Sequence, residues 1–209
     1  FLESQSVDSK GVIKALVTDD LINFEDLGVI LKNDYHLSYP FVFKHNSSYF
    51  LLPESLEAEE VTLYKFENFP QKPVKEKTLL KGKYYDSSLI LVENIWYLFT
   101  TSKKGLEIFW SEDMLKSDFT PHPMNPITTN LKYSRSAGAP INISGSIYRI
   151  SQDSSGVYGK NINISIIKKL NKEIFAEEIF IKDYFNNKIS KWNLSGGHHM
   201  SIAEFKEKF

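Results

Sequence analysis

Three carboxylates, Glu54, Asp86 and Asp153, stand at comparable places in separate segments of this 209-residue chain. Carboxylates paired across a cleft are what glycosidic bond hydrolysis requires. One stays protonated and donates to the leaving oxygen, while the other, ionised, activates water or attacks the anomeric carbon. A third tunes the pair through like-charge repulsion. Taken singly, each carboxylate could equally cap a loop or pair with an arginine. Arg135 and Arg149 are open to two readings as well: a bidentate clamp on an anionic group such as a uronate or phosphate, or a buried salt bridge to Asp153 or Asp86. His36, Tyr39, Ser87, Gln152, Tyr158, His198 and His199 complete the set of candidate ligand-orienting residues.

The densest of these segments is Arg135–Ile167, RSAGAPINISGSIYRISQDSSGVYGKNINISII. Its alternating apolar positions read as strand, yet it holds Arg135, Arg149, Gln152, Asp153 and Tyr158. Burying polar groups without partners costs about 1–3 kcal/mol each, so their collection in a strand-forming stretch points to a shared polar pocket. Tyr39, Tyr85 and Tyr158 are candidates for stacking on sugar rings, whereas Trp96 in IWYLF is expected to pack in the core. His198 and His199 are adjacent, and neighbours on a strand point to opposite faces. No metal site is expected from them, and no cofactor is expected. His45 and His122 lie in turn or loop contexts and read as solvated.

The elements that must position these groups recur. YPFVFKHNSSYFLLPES, YDSSLILVENIWYLFTTS and GAPINISGSIYRISQDS each open on polar or small residues. Each then runs through an apolar strand, a turn (HNSS, VEN, ISGS) and an aromatic-led second strand. Anchored on Tyr49, Tyr97 and Tyr148, the spacings are 48 and 51 residues (97 − 49 and 148 − 97). A further pair of strand-like runs follows each hairpin. FLES at the start matches the end of FLLPES one period earlier, so the first unit lacks its opening strand. WNLSGGHHMSIAEFKEKF reads as the opening of a last, incomplete unit. Four strands in about 50 residues match a blade of a β-propeller. The expected fold is therefore all-β: one propeller domain over residues 1–209, from a longer protein.

Composition agrees with strands and excludes several functions. Aromatic residues make up 14% of the chain, an enrichment that favours strands. The best helical candidates are short, around Ser111–Lys116 and around Ile202–Lys208, and the second reads equally as a strand. Net charge is −1, which gives no footprint for nucleic acid. With no cysteine, disulfides and thiolate metal sites are excluded. Apolar runs fall well short of the roughly 20 residues that span a bilayer. No GxGxxG, Walker or G-x-S-x-G pattern is present.

Taken in order, HLSYPFVFKHNSSYFLLPES, YDSSLILVENIWYLFTTS, SAGAPINISGSIYRISQDSSGVYG and GGHHMSI resemble a known family. It is the five-bladed propeller domain found at the N-terminus of plant glucosamine inositolphosphorylceramide transferases and in bacterial proteins, similar in fold to glycoside hydrolase family 43. The resemblance implies a five-bladed β-propeller with a carbohydrate-related role. In the hydrolases a base, a pKa-modulating acid and a general acid sit on separate blades. Here the base expected on the first opening strand would precede Phe1. Asp86 matches a pocket Asp on an inner strand, while Glu54 and Asp153 match this family's own motifs.

Two functions follow as expectations. One is a glycoside hydrolase-like enzyme acting on a glycan or glycoconjugate, with Glu54, Asp86 and Asp153 sharing the acid, base and modulator roles. The other is a recognition module that binds a sugar or nucleotide-sugar for a fused or associated transferase domain.

Overall fold

The computed structural model describes residues 1–5, 10–186 and 196–202. Nearly everything described is strand or turn. The chain divides into two compact units: Phe1–Ser87 with Asn94–Trp96 and Ser111–Thr120, and Ser88–Glu93 with Tyr97–Trp110 and Pro121–Phe209.

The chain opens with an antiparallel sheet of three strands, β1 (Leu2–Gln5), β2 (Gly11–Val17) and β3 (Glu25–Leu31). A four-stranded antiparallel sheet follows in the order of the chain: β4 (Ser38–His45), β5 (Ser48–Glu54), β6 (Glu60–Asn68) and β7 (Gln71–Lys81). A 3-10 turn, Leu56–Ala58, joins β5 to β6. The third sheet holds β8 (Tyr85–Val92), β9 (Ile95–Ser102), β10 (Gly105–Ser111) and the two-residue β11 (Thr120–Pro121). The last holds β12 (Arg135–Ser136), β13 (Ile141–Ile143), β14 (Ser146–Asp153), β15 (Asn161–Leu170) and β16 (Phe175–Ile181). There β14 pairs with β12, β13 and β15, and β15 pairs with β16.

Local chemistry sets the hairpins. Glu93 and Asn94, between β8 and β9, both have positive φ, as do Ser144 and Gly145 between β13 and β14. Two consecutive positive φ values make the type I′ turn, whose twist matches that of the strands it joins. The turns read in the sequence as VEN and ISGS are these two.

The interior strands are buried without alternation: β9 is buried at six consecutive positions, and β15 at its first five. Such strands are covered on both faces. The edge strand β7 is mostly exposed or half-buried and tolerates Pro73, as expected at an edge. In the first unit Ile13, Leu31, Leu37, Leu51, Tyr64 and Phe66 form a buried cluster. Trp96 is buried there against Phe43 and, edge-on, His45. In the second unit Ala137, Ile150, Ile162 and Ile164 form another.

Ser111–Lys116 is not helical. The Asp113 carboxylate accepts the N–H groups of Leu115 and Lys116, and the Ser111 hydroxyl donates to the carbonyls of Asp113 and Ser117. These local bonds satisfy the backbone as a turn and leave no helix to continue. Most of Ile202–Lys208 lies outside the described residues, as does most of the expected last unit. Its described part, residues 196–202, carries no strand.

Candidate functional site

The candidate residues fall into one group in each unit. In the first, β4 and β5 pair Ser38 with Glu54, with an irregularity in register between Ser38 and Phe41. That irregularity surrounds Tyr39, whose φ is 44°. Asp86 sits at the matching place in β8 with φ 54°. Left-handed backbone is rare for side chains other than Gly and Asn or Asp, and for a bulky residue it is a marked departure. Residues held this way cluster at functional sites.

Asp86 is buried, as is Ser87 beside it. The Asp86 N–H donates to Oε2 of Glu54 at 3.3 Å. Two of the three candidate carboxylate residues are therefore joined directly across two sheets.

His36 is fixed from three sides. Its Nδ1 accepts the Gly11 N–H at 3.0 Å, so the ring proton resides on Nε2, which lies 3.4 Å from Oε1 of Glu3. Its own N–H donates to Glu57 at 3.1 Å. Gly11 is obligatory for this approach: a Cβ there would lie 2.2 Å from the Leu37 carbonyl and 2.7 Å from the His36 ring.

In the second unit Arg135 and Gln152 are direct ladder partners on β12 and β14, which places their side chains on one face. The Arg135 guanidinium lies 4.8 Å from the centre of the Tyr158 ring, a cation–π contact. The exposed Tyr158 ring also meets His198, with centroids 5.0 Å apart and the hydroxyl 3.5 Å from Nδ1. Gln152 is buried, and its Oε1 has no hydrogen-bond partner among the described residues. His199 is bonded to Ser201 at 3.1 Å.

Asp153, at the end of β14, is buried. Burial acts to raise its pKa. The Ser155 hydroxyl and N–H, with Lys160 and Lys132 nearby, outweigh that and hold the carboxyl below the ordinary range. Oδ1 accepts the Ser155 hydroxyl at 2.5 Å and the Ser155 N–H at 2.8 Å, and Lys160 approaches to 3.9 Å. A carboxyl so held is an anion at neutral pH, suited to bearing charge and unsuited to donating a proton.

Arg149 belongs elsewhere. It is 1% exposed and donates from Nε and Nη2 to the two oxygens of Glu177 at 2.7 and 2.6 Å. The buried salt bridge expected to Asp153 or Asp86 is thus made to Glu177 instead, while Nη1 is buried with no hydrogen-bond partner among the described residues. His122, read as solvated, is 2% exposed. Its Nε2 donates to the Asn171 carbonyl at 3.0 Å, and its Nδ1 accepts the Met124 N–H at 3.2 Å. Glu57, Ser155, Lys160 and Glu177 were not marked by the sequence; Glu57 and Glu177 act on partners distant in the chain, whereas Ser155 stands two residues from Asp153 and a local Asp-x-Ser turn could have signalled it. Among the described residues no group of three or more His, Cys, Asp or Glu is arranged to hold a metal ion. No helix among them is long and apolar enough to cross a membrane.

Comparison with known proteins bears on this arrangement. The solved structure of Zg3597, a family 117 glycoside hydrolase from Zobellia galactanivorans, matches 81% of the chain and 55% of its own with a TM-score of 0.59 at 12% identity. A thermostable family 43 glycoside hydrolase matches 72% of the chain and 55% of its own with a TM-score of 0.51 at 14% identity. These likenesses establish a propeller-type, all-β fold. In sequence, glucosamine inositolphosphorylceramide transferase 1 of Arabidopsis thaliana is 34% identical over 218 residues. The alignment takes in 98% of this chain, which spans only 28% of that relative's length. The family described as glucosamine inositolphosphorylceramide transferase 1, N-terminal, matches residues 1–208.

Proposed function

The chain belongs to the glucosamine inositolphosphorylceramide transferase 1 N-terminal family, and from that footing we propose that it is a carbohydrate-active domain acting on a glycan or glycoconjugate. In this reading residues 1–209 form a single five-bladed propeller domain of a longer protein. Glu54 and Asp86 divide the acid and base work of a glycoside hydrolase-like site, with His36, Tyr39 and Ser87 orienting the sugar. Asp153 contributes a fixed negative charge. Arg135, Gln152, Tyr158, His198 and His199 contact polar groups of the ligand.

The observation that carries this reading is Asp86 itself. It is a buried carboxylate in left-handed backbone, bonded through its N–H to a second carboxylate. A fold bears the cost of burying such a group where the group has work to do.

A second reading is favoured by a separate observation. The chain spans 28% of the Arabidopsis relative, whose name is that of a transferase. The remainder of such a protein leaves room for a distinct transferase domain, and the present domain would then recognise a sugar or nucleotide-sugar for it. Aryl glycosides and an immobilised glycan panel, tested on wild type and Asp86→Asn, separate the two. Turnover abolished by the substitution supports the enzyme, and saturable binding without turnover, weakened by it, supports recognition. Asn tolerates left-handed backbone, so the substitution adds no backbone strain at this position. Neither turnover nor binding in wild type would overturn both readings.

A further inference from the structure

The connection between β2 and β3 presents apolar side chains to solvent. Ile22 is 80% exposed, Leu21 60% and Phe24 54%, with Val17 also exposed beside them. Exposed apolar residues singly are ordinary, but four within eight positions make a patch of the kind used for contact.

The loop is internally tied. Oδ1 of Asp20 accepts the N–H groups of Ile22 and Asn23 at 2.8 and 2.7 Å, and its Oδ2 accepts the Asn23 side-chain amide at 2.7 Å. The Thr18 hydroxyl oxygen accepts the Leu21 N–H at 2.9 Å. Leu21 has φ 60°, a conformation unfavourable for a leucine. The hydrogen bonds hold it, and Ile22 projects at the tip. Beside the tip is a concavity of about 390 Å³ lined by Val17, Thr18, Asp19, Asp20, Asn23, Phe24 and Glu25.

Charge decides what fits. Residues 17–25, VTDDLINFE, contain three acids and no Lys or Arg. The nearest cation earlier in the chain, Lys14, is paired with Asp26 at 2.5 Å. Anionic lipid would be repelled by this rim, and a second copy meeting it symmetrically would set acid against acid. We propose that the Val17–Glu25 tip is a docking surface for a partner protein whose apolar pocket, rimmed by Lys and Arg, receives Ile22 and Phe24. This surface is independent of the Glu54–Asp86 site, so the interaction stands or falls apart from the sugar chemistry.

The test uses the intact chain and a synthetic amphipathic peptide of Leu and Lys, with a Leu and Glu peptide of the same pattern as control, followed by calorimetry. The expected result is saturable binding of the Leu/Lys peptide alone, weakened at least about tenfold in Ile22→Ser. Weakening is also expected in Asp20→Ala, which releases the loop that presents Ile22. Circular dichroism and the thermal midpoint verify that both surface variants are folded. No binding of the Leu/Lys peptide, equal binding of both peptides, or unchanged binding in Ile22→Ser overturns the proposal. So does Ile22-dependent association with phosphatidylcholine or phosphatidylserine vesicles, or Ile22-dependent dimerisation in sedimentation, without peptide binding.

Discussion

Tyr39 and Asp86 occupy the same place in successive repeats, each second in its strand and each in left-handed backbone, at φ 44° and 54°. The strain at Asp86 is separable from its carboxylate. Asp86→Gly and Asp86→Ala both delete the side-chain acid, but only glycine adopts the conformation without cost. We expect the glycine variant to be the more stable by about 1 kcal/mol, read as a higher urea midpoint at equal slope. Both should have lost whatever sugar binding or turnover the wild type shows.

The Arg149–Glu177 pair makes a different prediction. Arg149→Met leaves Glu177 without its cation and should cost about 3–5 kcal/mol. The double variant Arg149→Met/Glu177→Leu removes both charges and should recover most of that loss. Denaturant unfolding of the four proteins in the cycle gives the coupling directly. A loss from Arg149→Met that the second substitution does not restore would mean that the packing of the arginine stem, not its charge, matters.

His122 gives the fold a pH dependence. Burial pushes its pKa below the ordinary 6.5, against the opposing hydrogen bond to the Asn171 carbonyl. The unfolded chain takes up the proton first as the pH falls. Stability from this residue is therefore present in full above pH 6.5 and lost as the pH drops through the folded-state pKa. Protonation also puts a proton on Nδ1, where the Met124 N–H now donates. Thermal midpoints between pH 7.5 and 5 should fall in wild type, and the fall should be shallower in His122→Gln.

Gly11→Ala should be disproportionately harmful for a single methyl group. The added carbon would lie 2.2 Å from the Leu37 carbonyl oxygen, so β2 and the chain at His36 must move apart. Overpacking of this kind costs about 1–3 kcal/mol. The Gly11 N–H bond to Nδ1 that sets the His36 tautomer would weaken, and the His36 imidazole shifts in NMR would report it.

The repeated hairpins were legible because their signals are local: turn residues, strand-length apolar runs and a constant spacing. Asp86 and Glu54 could be picked out for the same reason, as polar residues at repeated boundaries. The partner of Arg149 was not legible in that way. Glu177 reaches Arg149 across an intervening strand, and the ladder between β15 and β16 carries irregularities that no periodicity predicts. His122 was misread because a proline-rich loop suggests exposure, while the chain at Asn171, 49 residues on, folds over it. Local pattern marks where a group is; its protonation and partners depend on what returns to cover it.

Tyr39 and Asp86 also show what their two repeats hold in common. The backbone turns left-handed at the second position of both strands, yet one position carries a phenol and the other a carboxylate. The repeat fixes the bend of the chain and leaves the chemistry of the side chain to vary. Two sheets of one pattern thereby present different groups from equivalent places.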